Sequence, residues 1–282
     1  MSPNSSRLLR RGVSYGARYL LLMAVLVVVL GPFLWMVSGS LKGNNEVLSF
    51  PPTFLPEVLR FDNYVEVFRY QPFAQQFLNS ILVLVAVVAI TLVVSTTAGY
   101  AFARVRIPGA SVIFLVLLMG IYIPAESTLV PLYRMIASFG WIDTLVPLIL
   151  IPALASPFAT FVMRQAFLGL PKEFGEAATI DGAGRWRILV QVYLPMVRPA
   201  LAATTVLTSF YTWNSFLYPL IFLRTRENFT VPLGIAQYED PYSGPLWSVQ
   251  LAAATLSVIP VIVVFLVAQK QVISGMTAGG VK

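Results

Sequence analysis

Two groups of residues in this sequence could do chemistry. The first is a trio of carboxylates, Glu173, Glu176 and Asp181, inside a polar stretch from residue 164 to residue 198. The second is Tyr211, Asn214, Ser215 and Tyr218, hydrogen-bonding side chains at i, i+3, i+4 and i+7 within an apolar run, with Tyr122 in a similar setting. An aromatic plane can cover the apolar face of a pyranose while amides and hydroxyls pair with its OH groups. Packing between membrane helices uses the same residue types as glue, so both readings stand. The chain has no Cys and no His, which excludes thiol nucleophiles, disulfides, imidazole zinc ligands and Ser-His-Asp triads. None of the four lysines, Lys42, Lys172, Lys270 and Lys282, closes a GxxxxGK(S/T) phosphate loop, so any ATP must be hydrolysed elsewhere.

The elements that hold these residues are set by lipid. Of 282 residues, 57% are hydrophobic and 11% charged, with mean hydropathy +0.79; soluble domains carry about 25% charged residues. Disordered chains show the opposite balance. A membrane helix needs about 20 uncharged residues to cross about 30 Å of hydrocarbon. Six runs qualify: Tyr19 to Leu41, Tyr70 to Ala103, Ile107 to Ala125, Thr144 to Met163, Pro199 to Leu223 and Pro241 to Gln269. They predict an all-α integral membrane protein with six transmembrane helices, several kinked at proline. The first run is too long for the apolar core of a signal peptide, so it reads as an uncleaved span.

An even number of spans puts both termini on one side, and Lys and Arg choose it. With the N-terminus inside, thirteen of nineteen basic residues lie on the inner side and only Glu173, Glu176 and Asp181 of the acids do. The expected layout is a cytoplasmic segment 1–18, a permease domain 19–269 and a cytoplasmic tail 270–282. The net charge of +7 is then an inner-face property, with no nucleic-acid footprint. The outer segments, about 42–69, 126–143 and 224–240, read as irregular connectors, the first being a passive linker or a docking surface.

The inner segment 164–198 reads as two short amphipathic helices joined at Gly182. Phe174, Ala177, Ala178 and Asp181 share one face, and Trp186, Leu189, Val190 and Tyr193 share another until Pro195 stops the helix. The first helix either seats in a groove on a partner or rests on the membrane interface. From these patterns three classes remain open: a partner-driven transporter, an ion-coupled secondary transporter, and an integral-membrane transferase. Secondary transporters commonly carry acids or His within their spans, and none occurs here.

Glu176-Ala177-Ala178, then Gly182, then Val192-Tyr193-Leu194-Pro195 resembles the EAA loop of the inner-membrane permeases of binding-protein-dependent ABC importers, with Val192 where the family usually has Ile. Gly99-Tyr100-Ala101-Phe102-Ala103-Arg104, Pro131-Leu132-Tyr133, Trp213-Asn214 with Pro219-Leu220-Ile221-Phe222, and the tail Gly275 to Lys282 are similar to the carbohydrate-uptake, maltose-permease branch. The resemblance implies a type I importer permease fold in a bacterial or archaeal inner membrane. It implies that Glu176, Ala177, Ala178, Asp181 and Gly182 form a coupling helix seated on an ATPase subunit, with Leu194 and Pro195 leading back to the bilayer. It further implies a pair of ATP-binding cassette subunits, a companion permease and an extracytoplasmic solute-binding protein. ATP is bound by those partners, so this chain holds no cofactor, and the companion permease shares the substrate route.

Overall fold

The structure, a computed structural model, describes residues 3–240 and 244–279, with side chains described at 18–124, 126–240, 244–266 and 269. The end of the expected tail 270–282, Gly280, Val281 and Lys282, lies outside the described residues. Helices dominate, and the strands among the described residues are the short antiparallel pair Glu239–Asp240 and Gly244–Pro245. Four helical segments are long and apolar enough to cross a bilayer: Arg18–Ser40, Phe73–Arg104, Val146–Leu168 and Trp247–Leu266. Two bent pairs, Ala110–Tyr122 with Glu126–Ser138 and Arg185–Met196 with Arg198–Trp213, raise the number to six if each pair is one span.

Two of the six apolar runs are not straight spans. Within Ile107 to Ala125 the α-helix covers only Ala110–Met119, a 3-10 turn follows over Gly120–Tyr122, and the chain then bends by 102°. Ile123 is extended immediately before Pro124, the conformation that a following proline imposes. The segment 126–143, expected as a connector, is instead largely the helix Ala125–Ser138. Within Pro199 to Leu223 the helix Arg198–Trp213 stops, and a second short helix, Leu217–Phe222, starts after three residues. Pro219 falls in that helix's first turn, where a missing N–H leaves no bond unmade.

The chain forms two compact units, residues 1–71 with 238–256, and residues 72–237 with 257–282. In the first unit, the segment 42–69 is irregular between the short helices Asn44–Val47 and Asp62–Tyr70, and hydrogen bonds pin it in place. Asn63 Nδ2 donates to the carbonyls of Ser40 (2.8 Å) and Lys42 (2.9 Å). The Tyr64 and Ser40 hydroxyls meet at 2.7 Å. Lys42 is buried, its ammonium bonded to the Thr53 carbonyl and set over the Trp35 ring. Tyr238 donates to the Val67 carbonyl at 2.9 Å, and burial pushes its ionisation upward, so it stays a neutral donor. These bonds answer the backbone groups that a loop leaves unpaired.

In the second unit the helix Phe73–Arg104 is the central post, packed against Val146–Leu154, Pro157–Leu168 and Arg198–Trp213. One apolar cluster, with Val83, Val87, Leu148 and Phe222, lies along its first half. A second, with Tyr100, Met163, Phe167 and Tyr193, lies at its far end. A Cβ on Gly99 would lie 2.8 Å from both the Arg164 nitrogen and Met163 Cβ. Glycine is what lets these two helices approach there.

Candidate functional site

The carboxylate trio lies on a helix of the expected extent, Glu173–Ile180. Asp181 caps it and Gly182 turns the chain at φ +77°, in the left-handed region that favours glycine. The Ala183 N–H donates to Ala178 O at 2.9 Å and the Gly182 N–H to Thr179 O at 3.0 Å. These two bonds are the Schellman arrangement that ends a helix sharply. The chain continues through Arg185–Arg187, a π-helical stretch Ile188–Tyr193, and Leu194–Met196. Pro195 does not stop this second helix, because it sits in the opening turn of Leu194–Met196. The break comes after it, where the chain bends by 79° into Arg198–Trp213.

The side of the first helix that this chain itself covers is separate from the face marked by the spacing, which was expected to meet a partner or the membrane interface. Phe174, Ala177 and Asp181 are exposed, as is Glu176, and Ile180 is 88% exposed. Gly175 and Ala178 face inward: a Cβ on Gly175 would collide with the Tyr193 hydroxyl, and Ala178 packs on the buried cluster with Ala183. The seat beneath is an aromatic triangle, with Tyr100–Phe167, Tyr100–Tyr193 and Phe167–Tyr193 ring centroids 5.7, 5.9 and 6.3 Å apart. Arg104 locks it, donating to the carbonyls of Phe167 and Leu170 while its guanidinium lies 5.0 Å from the Tyr193 ring. A cation at those carbonyls complements the C-terminal end of Pro157–Leu168. Leu194 is half-buried against the same cluster and Pro195 is exposed. Sequence reasoning assigned no role to Gly99, Tyr100, Arg104 or Gly175. The visible signal was an arginine closing an apolar run of about thirty residues.

The second group does not share one helix. Tyr211 lies on Arg198–Trp213, Asn214 and Ser215 lie in the break, and Tyr218 lies on Leu217–Phe222. The Asn214 amide turns back to the Phe210 carbonyl at 2.8 Å, a local bond that competes with helix continuation. Tyr211 and Tyr218 line a cleft of about 510 Å3 with Thr204, Thr208 and Thr212. A smaller pocket of about 180 Å3 shares Tyr211, Thr212 and Tyr218 and adds Ser215, Ser80 and Thr230. Asn214 lines neither, and Tyr122 is 86% exposed, its neighbour Ile121 lining the cleft instead. Among the described residues, no charged side chain lines either space. Thr230 Oγ1 is buried without a partner among the described residues, although an unpaired buried hydroxyl costs about 1–3 kcal/mol. Ser80 and Thr230 escaped sequence reasoning because they lie 150 residues apart and meet only in the fold.

Hydrogen bonds fix the walls of this space. Gln76 donates to Arg226 O (3.1 Å), Asn79 to the carbonyls of Glu227 (2.7 Å) and Phe229 (3.0 Å), and Ser80 accepts from the Val231 N–H (2.8 Å). Asp143, at φ +62°, ties down the far end of Leu217–Phe222. Its N–H donates to Phe222 O at 2.7 Å, and its carboxylate accepts from the N–H groups of Arg224 (2.8 Å) and Thr225 (3.0 Å) and from Thr225 Oγ1 (3.0 Å). Burial works to raise the Asp143 pKa, but these donors outweigh it and hold the carboxyl below its ordinary value.

Comparison with known proteins agrees with this geometry. The chain is 34% identical over 254 residues to the arabinooligosaccharides transport system permease protein AraQ of Halalkalibacterium halodurans, covering 89% of this chain and 90% of that protein. It is 34% identical over 272 residues to the diacetylchitobiose uptake system permease protein NgcG of Streptomyces coelicolor, covering 96% and 89%. Its fold superposes with TM-score 0.77 and 26% identity on a chain of a bacterial ABC transporter involved in the import of the acidic polysaccharide alginate, covering 96% and 98%. A family model for binding-protein-dependent transport system inner membrane components matches residues 18–277. The chain belongs to that family: it is a multi-pass inner-membrane permease component with the type I importer fold.

Proposed function

We propose that this chain is one permease subunit of an importer that moves a carbohydrate into the cytosol, powered by ATP hydrolysis on a pair of separate cassette subunits. A companion permease completes the route, and an extracytoplasmic binding protein delivers the solute. Both termini face the cytosol, with segment 1–18 and tail 270–282 flanking the permease domain 19–269. The observation that carries this reading is the helix Glu173–Ile180, whose Gly175–Ala178 side is locked on an aromatic seat while Glu176, Ala177 and Asp181 stay bare.

A lever that transmits force must be rigid on one side and contact a partner on the other. Glu176, Ala177, Asp181 and Gly182 form the contact with the ATPase, Ala178 joins them to the seat, and Leu194 and Pro195 pass the displacement to the span Arg198–Trp213. On the solute side, Tyr211, Ser215 and Tyr218 line the route. Asn214 shapes the break, and Tyr122 lies at its margin.

The test is uptake by the assembled importer in vesicles with ATP inside. Gly182→Asp is expected to abolish uptake while the permease remains in the membrane. Solute accumulation by this chain alone under an ion gradient, without nucleotide, would overturn the proposal in favour of a secondary transporter.

A further inference from the structure

Beside the coupling helix lies a cleft of about 720 Å3 whose basic residues Arg106, Lys172 and Arg185 have no part in the lever or the solute route. Its walls mix apolar and charged residues. Ala103, Val105 and Ile188 supply apolar surface, while Arg106, Lys172 and Arg185 supply charge. None of these three cationic side chains has a hydrogen bond, ion pair or ring contact with the described residues, unlike Arg104 beside them, whose guanidinium bonds two carbonyls and lies over a ring. Among the described residues, Glu176 is the sole acid in the lining. Three exposed cations converging on one concave surface repel each other and gain from a shared anion. The cleft also sits where the long apolar helix Phe73–Arg104 ends, which is the depth of lipid headgroups.

We propose that this cleft binds the phosphate headgroup of an anionic phospholipid of the cytoplasmic leaflet, placing that lipid against the flank of the coupling helix. Arg106, Lys172 and Arg185 hold the phosphodiester, and the apolar wall accepts the glycerol and the first methylenes of an acyl chain. Anionic lipids meet juxtamembrane basic clusters in this way. The inference rests on the inward orientation under Proposed function. The helix flank carrying Lys172, Gly175, Glu176 and Thr179 faces the cleft; of the ATPase contact only Glu176 also lines it, and Ala177, Asp181 and Gly182 lie outside it.

The experiment uses the assembled importer in vesicles of phosphatidylcholine with 0–30% phosphatidylglycerol, reading phosphatidylglycerol retained on the complex by native mass spectrometry. Wild type is expected to retain phosphatidylglycerol over phosphatidylcholine. Arg106→Gln, Lys172→Gln and Arg185→Gln should each lower that retention about fivefold, and about a hundredfold together. Equal retention by wild type and the triple variant overturns the proposal. So does displacement of phosphatidylglycerol by millimolar inorganic phosphate, which would make the cleft a site for free phosphate. Loss of the cassette subunits from the triple variant in lipid-free detergent also overturns it, assigning the cations to the ATPase contact. Because the chain has no native cysteine, Lys172→Cys reports sidedness separately: labelling only from outside overturns the orientation and the proposal with it, whereas inside labelling with unchanged lipid retention overturns the lipid site alone.

Discussion

The coupling segment and the mid-span cleft both interrupt helical regularity, and they treat the interruption in opposite ways. In the coupling segment the π-helical stretch Ile188–Tyr193 is filled: Ile188, Leu189 and Tyr193 are buried, and Arg104 satisfies the carbonyls beside them. At the break around Asn214 to Phe216 the interruption opens a space lined by hydroxyls, one of them unpaired. Packed interiors are bistable and transmit displacement, whereas a space with unsatisfied polar groups is ready to exchange them with a ligand. One region is built to move as a block, the other to be occupied.

The sharpest way to break this contrast is to unseat the lever. Gly175→Leu drives a side chain into Tyr193, and overpacking of this kind costs about 1–3 kcal/mol. Uptake of labelled sugar by the reconstituted importer should fall up to about a hundredfold. Tyr193→Ala in the same chain should restore part of it by vacating the space. Uptake unchanged by Gly175→Leu alone would mean that the helix works without its seat.

Removing the lock tests the same region more gently. Arg104→Met takes two charge-assisted bonds from the carbonyls of Phe167 and Leu170, each worth about 1.5–3 kcal/mol. The expected result is a lower unfolding midpoint and ATP hydrolysis that persists with roughly tenfold less transport per ATP, because the lever then slips on its support. Arg104→Lys should recover only part, since one ammonium can bond both carbonyls, as the single Nη2 does here, but lacks the planar guanidinium that lies over the Tyr193 ring. Full coupling in Arg104→Met would remove the rigid side of the comparison.

The cleft predicts the opposite relation between stability and activity. Thr230→Val deletes a buried hydroxyl that has no partner among the described residues, so stability should hold or rise by about 1 kcal/mol. If the hydroxyl serves the solute, the half-saturating concentration for transport should still rise about fivefold to tenfold. Tyr218→Phe should raise it similarly with an unchanged unfolding midpoint. A variant that loses stability while keeping its transport constants would make these packing residues.

These regions were unequally legible in the sequence. Charge-free runs announced the membrane segments because an ion in lipid is costly wherever it falls, so Phe73–Arg104 and Val146–Leu168 emerged close to their bounds. Periodicity placed the helix Glu173–Ile180 and marked a face on which Phe174, Ala177 and Asp181 are open to a partner, but it scores apolarity and gave no sign of the inner contact, which uses the absence of a side chain at Gly175. The helical spacing of Tyr211, Asn214, Ser215 and Tyr218 was real in number and misleading in space, because the Asn214 amide captures a carbonyl and the helix ends at Trp213. Thr230, Ser80 and Asp143 carry no local pattern and are defined by partners far along the chain.

The smallest expected effect comes from Asp143, and it asks whether the cleft's outer anchor works through charge or shape. Its carboxyl pKa is lowered in the folded chain, so the unfolded chain takes up a proton first as the medium becomes acidic. The stabilisation is therefore complete above the ordinary carboxylate value near 3.9 and is lost as pH falls through the lower folded value. Asp143→Asn isolates this term, because asparagine also tolerates a positive φ and keeps one acceptor oxygen. The two proteins should differ in unfolding midpoint by a small constant margin from pH 8 to about pH 5, with wild type the more stable and solvent screening keeping the gap small, and converge as pH drops below about 4. A gap that stays constant into strong acid would assign the anchor to shape, and the Phe222 and Asn228 bonds to the Asp143 backbone would then suffice to hold Tyr218 at the cleft.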